Sequence, residues 1–346
     1  MLTPALAAFI ERMPKIELHL HLEGAVAPRT FLELSRRNGI PLPVSTEQEL
    51  AQLFHYDDFH AFLDTFMALA ATIVSGEDFE LLAFELGMQL AAQRVVYAEV
   101  MLSPMQHVRR GVDLVETLAG TAAGFARAAQ YGGPRVGLVL DYGRQYGAAA
   151  AWPILETAIA CRSYGVVGWS IGGNEIGHPP EEFIDLFTAA RTAGLGVMAH
   201  AGEVVGPTSV WGAIDVLAVS RIGHGIRSVN DPLLMQTLIE RQIVLDVCPS
   251  SNVRTKAVPT WSSHPLRRLY DNGVLVTINS DDPTFFETTI SEEFRRAVTY
   301  LGFTADEFCQ ITRTAAQAAF LPIDERAALI TTVEHHLQTL RTELGV

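Results

Sequence analysis

Short apolar runs punctuate the chain, and stretches of helical character lie between them. The runs cover residues 16–22, 94–103, 135–141, 166–171, 196–200, 221–224, 243–248 and 274–279. Most are apolar almost throughout, and Val and Ile recur in them. Strands of that kind are buried on both faces, which points to parallel pairing with helical crossovers. Eight such units predict an α/β fold, a closed (β/α)8 barrel of the TIM type. An open doubly wound sheet is the alternative, but no Gly-x-Gly-x-x-Gly follows the first run. The spacing suits βα units except between the first and second runs. Residues 28–93 fill that gap with helical segments, including Asp57 to Ala71 and Glu77 to Ala92. We expect a helical insertion between strands 1 and 2, near the barrel mouth. It either caps a substrate or forms an outer layer that never touches one. Residues 1–346 read as one domain. The tail from Thr304 reads as helical, with a last helix near Thr331 to Glu343 and His335 and His336 on its wet face.

The first run, Ile16-Glu-Leu-His-Leu-His-Leu-Glu-Gly24, alternates apolar and polar residues. In a strand, His19 and His21 then share one face. Taken alone, the pair fits an edge strand with wet histidines as well as a metal site. The other strand ends change that balance, because catalytic groups of such barrels collect at the C-terminal ends of the strands. Strand four runs into Ile171-Gly-Gly-Asn174, strand five into His200-Ala-Gly-Glu203, strand six into His224-Gly225, and strand eight into Ser280-Asp281-Asp282-Pro283. Histidines, a glutamate and two aspartates are thus expected on one face. His19, His21, His200 and Asp281 offer three nitrogens and an oxygen, a set that suits Zn²⁺ with a position left open for water. Such an ion lowers the pKa of its water to about 7. Glu203 lies close enough to exchange a proton with a substrate. His224 is free to hold the water or take its proton. Asp281 and Asp282 should diverge, one toward the metal and the other toward substrate.

Composition narrows the partners. The net charge of −14 argues against nucleic acid, which is bound through clustered Lys and Arg. The three cysteines, Cys161, Cys248 and Cys309, are scattered, as in a protein of a reducing cytoplasm. The N-terminus lacks the features of a secretory signal, and no apolar run approaches a membrane span. A soluble cytoplasmic protein is expected, and a homo-oligomer is compatible with everything in the chain. Lys15 and Lys256 are its two lysines, and neither ends a middle strand where a carboxylated lysine would bridge two ions. One metal per chain is therefore expected.

Pro14-Lys-Ile-Glu-Leu-His-Leu-His-Leu-Glu-Gly-Ala25, Ala199-His-Ala-Gly-Glu203, Arg221-Ile-Gly-His-Gly225, Cys248-Pro-Ser-Ser-Asn252 and Asn279-Ser-Asp-Asp-Pro283 occur in that order. As a set they resemble the adenosine deaminase family of the amidohydrolase superfamily. The resemblance implies a barrel with one zinc and hydrolytic replacement of a purine 6-amino group, releasing ammonia. It matches His19, His21, His200 and Asp281 to the zinc ligands and Glu203 to the acid that protonates purine N1. It matches His224 to the group that orients and deprotonates water, Asp282 to the residue meeting the water and N7, and Gly173 to a backbone N–H for N3. It makes an aminopurine nucleoside, adenosine, the expected small-molecule substrate. Adenine and aminodeoxyfutalosine are the alternatives, because Glu23 stands where adenosine enzymes carry an aspartate that contacts the ribose 5′-hydroxyl. A futalosine-type substrate brings a carboxylate that would want an arginine. Arg144 is the candidate, against the plainer expectation that it pairs with a surface acid.

Overall fold

The computed structural model describes residues 2–346. Its eight strands are β1 (Lys15–His21), β2 (Val95–Leu102), β3 (Arg135–Gly143), β4 (Val166–Gly172), β5 (Gly196–Ala201), β6 (Arg221–His224), β7 (Val244–Val247) and β8 (Leu275–Ile278). Each pairs in parallel with the next, in chain order. The barrel closes where the chain beyond β8 meets β1. The His21 N–H donates to the Asp281 carbonyl at 2.9 Å, and the Asp281 N–H to the His19 carbonyl at 3.1 Å. The expected (β/α)8 barrel is therefore present, and each predicted run ends within two residues of an observed strand.

One seam is loose. β4 and β5 pair only at Gly168–Gly196 and Trp169–Val197, then separate. Arg144, fully buried, fills the opening and donates to the carbonyl of His200 and, at 3.2 Å, to that of His178. This corrects both expectations for Arg144. It reaches neither the pocket nor a surface acid; the carbonyls of His200 in β5 and of His178 in the loop after β4 hold it.

The insertion is shorter than expected. Helices cover Pro28–Asn38, Glu47–Gln52, Phe59–Ala70 and Gly76–Ala92. The last packs along helix Leu114–Ala129 and against β2, so it is the ordinary crossover helix of the first βα unit. The added part ends before it. Helix Phe59–Ala70 starts where the Asp58 carboxylate accepts the Ala61 N–H at 2.9 Å, a side-chain cap for a free backbone donor. Phe59, Phe62, Leu63 and Phe66 follow at helical spacing and share a face. That face lies over the barrel mouth. Phe62 sits with its ring 4.9 Å from Phe286, and Phe66 with its ring 5.5 Å from Phe285, which fastens the cap to the loop after β8.

Inside the barrel, Phe320 plugs the floor beneath Gly168 and Gly196, with Arg221 over its ring at 4.0 Å. Arg221 meets Glu99 at 2.6 Å and Asp246 at 3.0 Å, all three buried. Met101, Val139 and Met198 form an apolar cluster inside the barrel. The tail forms helices Ala305–Ala318 and Ile323–Leu344, with His335 and His336 exposed as expected. No helix among the described residues is long and apolar enough to cross a membrane.

Candidate metal centre and active site

At the C-terminal face, β1 delivers His19 and His21, β5 delivers His200, and the turn after β8 delivers Asp281. The Asp281 Oδ1 lies 3.2 Å from His19 Nε2 and 3.3 Å from His21 Nε2. His200 completes the group, with ligand atoms from all four within 4.8 Å of one another. The donors fit a cation on two independent grounds. Both ring nitrogens of His19 are buried without a hydrogen-bond partner, which costs free energy unless another group satisfies them. Burial also lowers the His19 pKa, so the neutral, ligating form is favoured. Around His21 the reverse holds. Burial opposes its charge, yet Asp282, Asp281 and Asp141 outweigh that and raise its pKa to about 10. A field so negative is one in which a cation is stabilised.

A second set, His19, His224, Cys248 and Asp281, shares two of these residues. The first set is the better metal centre, because His21, His200 and Asp281 border the open pocket and Cys248 does not.

Two site residues sit on unusual backbone. His224 has φ 61° and Asp281 φ 64°, both left-handed, a conformation that costs energy for residues with a Cβ and recurs at functional sites. The turn at Asp281 sends Asp281 to the metal group and Asp282 toward β1. Asp282 passes so close to Gly24 that a Cβ there would lie 1.8 Å from its Oδ1. The glycine of the first motif thus makes room for the second aspartate.

The pocket above the metal group is bordered by Asp141, Gly173, Glu203, His224, Asp281 and Asp282, with Ser103, Gln106, Gln145, Tyr146 and Ser251 around the sides and Phe59, Phe62, Leu63 and Phe66 above. The insertion therefore does cap the site. Glu203 Oε2 lies 3.6 Å from His224 Nε2. Burial, with Asp281, Glu175 and Asp282 nearby, raises the Glu203 pKa well above its ordinary value, which favours the protonated form. Burial also outweighs the pull of His21 on Asp282 and raises it well above its ordinary value. Burial opposes the charge of Asp281, but His19, His21 and His224 hold it well below. Adjacent carboxyls are thus pushed in opposite directions, as expected of groups with different roles.

Every expected site residue gathers here except Glu23. It is fully buried in the 3-10 turn Glu23–Ala25 and does not border the pocket. Its Oε1 accepts the Ser103 N–H at 3.0 Å and lies 2.9 Å from His107 Nε2. Burial opposes its charge, yet His107 and these bonds lower its pKa. Gly173 borders the pocket at φ 78°, where a Cβ would strike Gln145 Oε1 at 2.3 Å. Lys15 is tied to the carbonyls of Met13 and Gln93 at the start of β1, and Lys256 is exposed, so neither reaches the metal group.

Three further contributors carry a signal that strand ends and motifs could have revealed. Asp141 lies near the C-terminal end of β3 and 3.4 Å from His200 Nδ1. A carboxylate there orients a metal-binding histidine. Glu175 follows the Gly172-Gly173 pair after β4. Its carboxylate accepts the N–H groups of Gly202, Val204 and Val205 at 2.6, 2.8 and 2.9 Å, fixing the loop around Glu203. Asn252 closes the Cys248-Pro-Ser-Ser-Asn252 motif and touches His224 at 3.1 Å.

Residues 14–336 match the family model described as adenosine deaminase. The chain belongs to the adenosine deaminase family. It is a hydrolase of the deaminase type, acting on C–N bonds. Among the family's curated proteins, the adenine deaminase of Hahella chejuensis is 35% identical over 330 residues, which is 95% of this chain and 98% of that one. The adenine deaminase of Streptomyces coelicolor is 36% identical over 324 residues, covering 93% and 95%. Among solved structures, an adenine deaminase from Arthrobacter aurescens superposes with a TM-score of 0.90 at 33% identity, covering 94% of this chain and 99% of that one. An amidohydrolase from Burkholderia ambifaria, solved with bound Zn, gives 0.91 at 29% identity, covering 100% and 96%.

Proposed function

We propose that the protein hydrolyses free adenine to hypoxanthine and ammonia, with one zinc ion held by His19, His21, His200 and Asp281. The sequence put adenosine first, with aminodeoxyfutalosine and adenine as alternatives; the observations favour adenine. The one that carries the reading is Glu23. In the adenosine enzymes the corresponding aspartate meets a ribose hydroxyl. Here the carboxylate points into the protein and is held by His107 and Ser103. Its other oxygen has no partner, but the residue is buried outside the pocket lining and does not meet a sugar there. The names of the curated relatives agree with a free base as substrate. Aminodeoxyfutalosine loses its support with Arg144, which faces carbonyls in the β4–β5 seam.

A divalent cation held by His19, His21, His200 and Asp281 would supply Lewis acidity to the attacking water. The side chains do the rest. Glu203, protonated, donates to the ring nitrogen N1 and draws electrons from C6. Asp282, whose pKa burial pushes up, bonds N7 and fixes the ring plane. The Gly173 N–H is available to N3 where only a glycine fits the backbone. His224 orients the attacking oxygen. The phenylalanines of helix Phe59–Ala70 exclude water and stack near the base.

Initial rates on adenine, adenosine and aminodeoxyfutalosine test the reading. The expected kcat/KM is highest for adenine, by on the order of 100-fold or more. A higher value for adenosine overturns it.

A further inference from the structure

The hydrogen on His224 can be located without seeing it. The chain of bonds starts at a donor whose sense is fixed. The backbone N–H of Leu266 donates to His264 Nδ1 at 3.1 Å. That nitrogen is therefore bare, and the hydrogen of the neutral ring sits on Nε2. His264 is buried, which lowers its pKa to about 3 and keeps the ring neutral. Its Nε2 lies 3.3 Å from Asn252 Oδ1, so the amide oxygen accepts. The other end of the same amide, Nδ2, can only donate, and it lies 3.1 Å from His224 Nδ1. The His224 Nδ1 must then be the acceptor. The hydrogen of His224 is left on Nε2, the atom 3.6 Å from Glu203 and 3.8 Å from Asp281.

We infer that Asn252 and His264 are positioning residues that lock His224 in the Nε2–H tautomer, so that His224 presents a hydrogen-bond donor to the attacking oxygen rather than a base. Acceptance of the water proton then falls to Glu203, 3.6 Å from His224, once that carboxyl has given its own proton to N1. This replaces the expected role of His224 in deprotonating water. It also explains what the Cys248-Pro-Ser-Ser-Asn252 motif does, since the short helix Pro249–Arg254 that carries Asn252 transmits a backbone bond at Leu266 into the site. The role of His224 in turnover rests on the deaminase reading; the tautomer does not.

The tautomer is read directly. In zinc-loaded protein with ¹⁵N-labelled histidine, long-range ¹H–¹⁵N spectra distinguish bare from protonated ring nitrogens, with His224→Gln and His264→Gln spectra assigning the signals. The expected result is Nε2–H with bare Nδ1 for both His224 and His264. A His224 signal with protonated Nδ1 overturns the inference, whatever the substrate panel gives. Variants then separate positioning from packing. Asn252→Asp keeps the shape but turns the donor into an acceptor. It should move the hydrogen to His224 Nδ1 and lower kcat by on the order of 100-fold, with KM and zinc content held. Asn252→Ala should lose less. His264→Gln, which can still donate to Asn252, should keep kcat near that of the parent, and His264→Phe should not. Equal losses in Asn252→Asp and Asn252→Ala, or no difference between the two His264 variants, would contradict the inference.

Discussion

Two buried polar clusters share the barrel interior, and only one is complete in itself. Near the floor, Arg221 lies between Glu99 and Asp246 at ion-pair distance. Tyr97 donates to Glu99 at 3.0 Å, and Thr277 to Asp246 at 2.8 Å. Nearly every charge has a protein partner of opposite sign. At the mouth, His19, His21, His200, Asp281, Asp282 and Glu203 are also buried, yet His19 Nδ1 and one Asp282 oxygen have neither a hydrogen-bond nor an ion-pair partner, whereas the floor atoms without a hydrogen bond, Glu99 Oε2, Arg221 Nε and Asp246 Oδ2, face one another as ion pairs. Carboxyls crowd there without a fixed cation. Burial alone therefore does not mark a site. The mark is burial left unbalanced, because an unpaired buried group costs several kcal/mol unless something outside the chain completes it.

Four variants sharpen that difference. The largest effect is expected from Glu203→Gln, which keeps the shape of the mouth cluster but removes the proton donor. Turnover should fall by on the order of 10³-fold or more with metal content unchanged, measured by steady-state kinetics and metal analysis. Near-normal kcat would remove Glu203 from the reaction. Arg221→Met should do the opposite. It leaves Glu99 and Asp246 buried together and should cost roughly 3–5 kcal/mol of stability in denaturant unfolding, with KM for the substrate unchanged. Replacing all three floor residues by apolar ones of similar volume should recover most of that loss.

The third variant concerns Glu17, behind the mouth cluster. Burial raises its pKa from 4.5 to about 7, against the bonds from Ser280. The native state then holds this proton more tightly than the unfolded chain. Its contribution to stability is whole below about pH 4.5 and is lost as pH rises through about 7. Glu17→Gln cannot lose a proton. It should match the parent at pH 4.5 and exceed it by on the order of 3 kcal/mol at pH 8, read from denaturant midpoints. Equal pH profiles would show that Glu17 does not titrate. The smallest effect is expected from Asp282→Asn. Relieving one carboxyl at the mouth should stabilise the metal-free fold by about 1 kcal/mol while lowering kcat, since function holds that cluster away from its stability optimum. A loss of stability would mean that the mouth is as self-satisfied as the floor.

The mouth was largely legible in the sequence because its chemistry sits at strand ends, and strand ends are set by apolar runs that can be read locally. His19, His21, His200, His224 and Asp281 needed no knowledge of partners. Asp141 obeys the same rule. What could not be read depends on residues far away in the chain. Glu23 turns inward because His107, brought in on helix Pro104–Val108, takes its carboxylate. Arg144 turns inward because β4 and β5 part beyond Trp169, which no local pattern announces. Helix Gly76–Ala92 reads like the helices of the insertion, and only its packing on Leu114–Ala129 shows that it belongs to the barrel.

We propose that a cation finishes the mouth cluster and that the floor cluster needs none. Metal analysis of the purified chain, followed by turnover and thermal unfolding after chelation, tests it most directly. The expected result is one equivalent of zinc per chain, loss of turnover and a lower Tm on its removal, and recovery of both when zinc is restored. Full turnover in protein stripped of metal, or two tightly bound ions per chain, would contradict it.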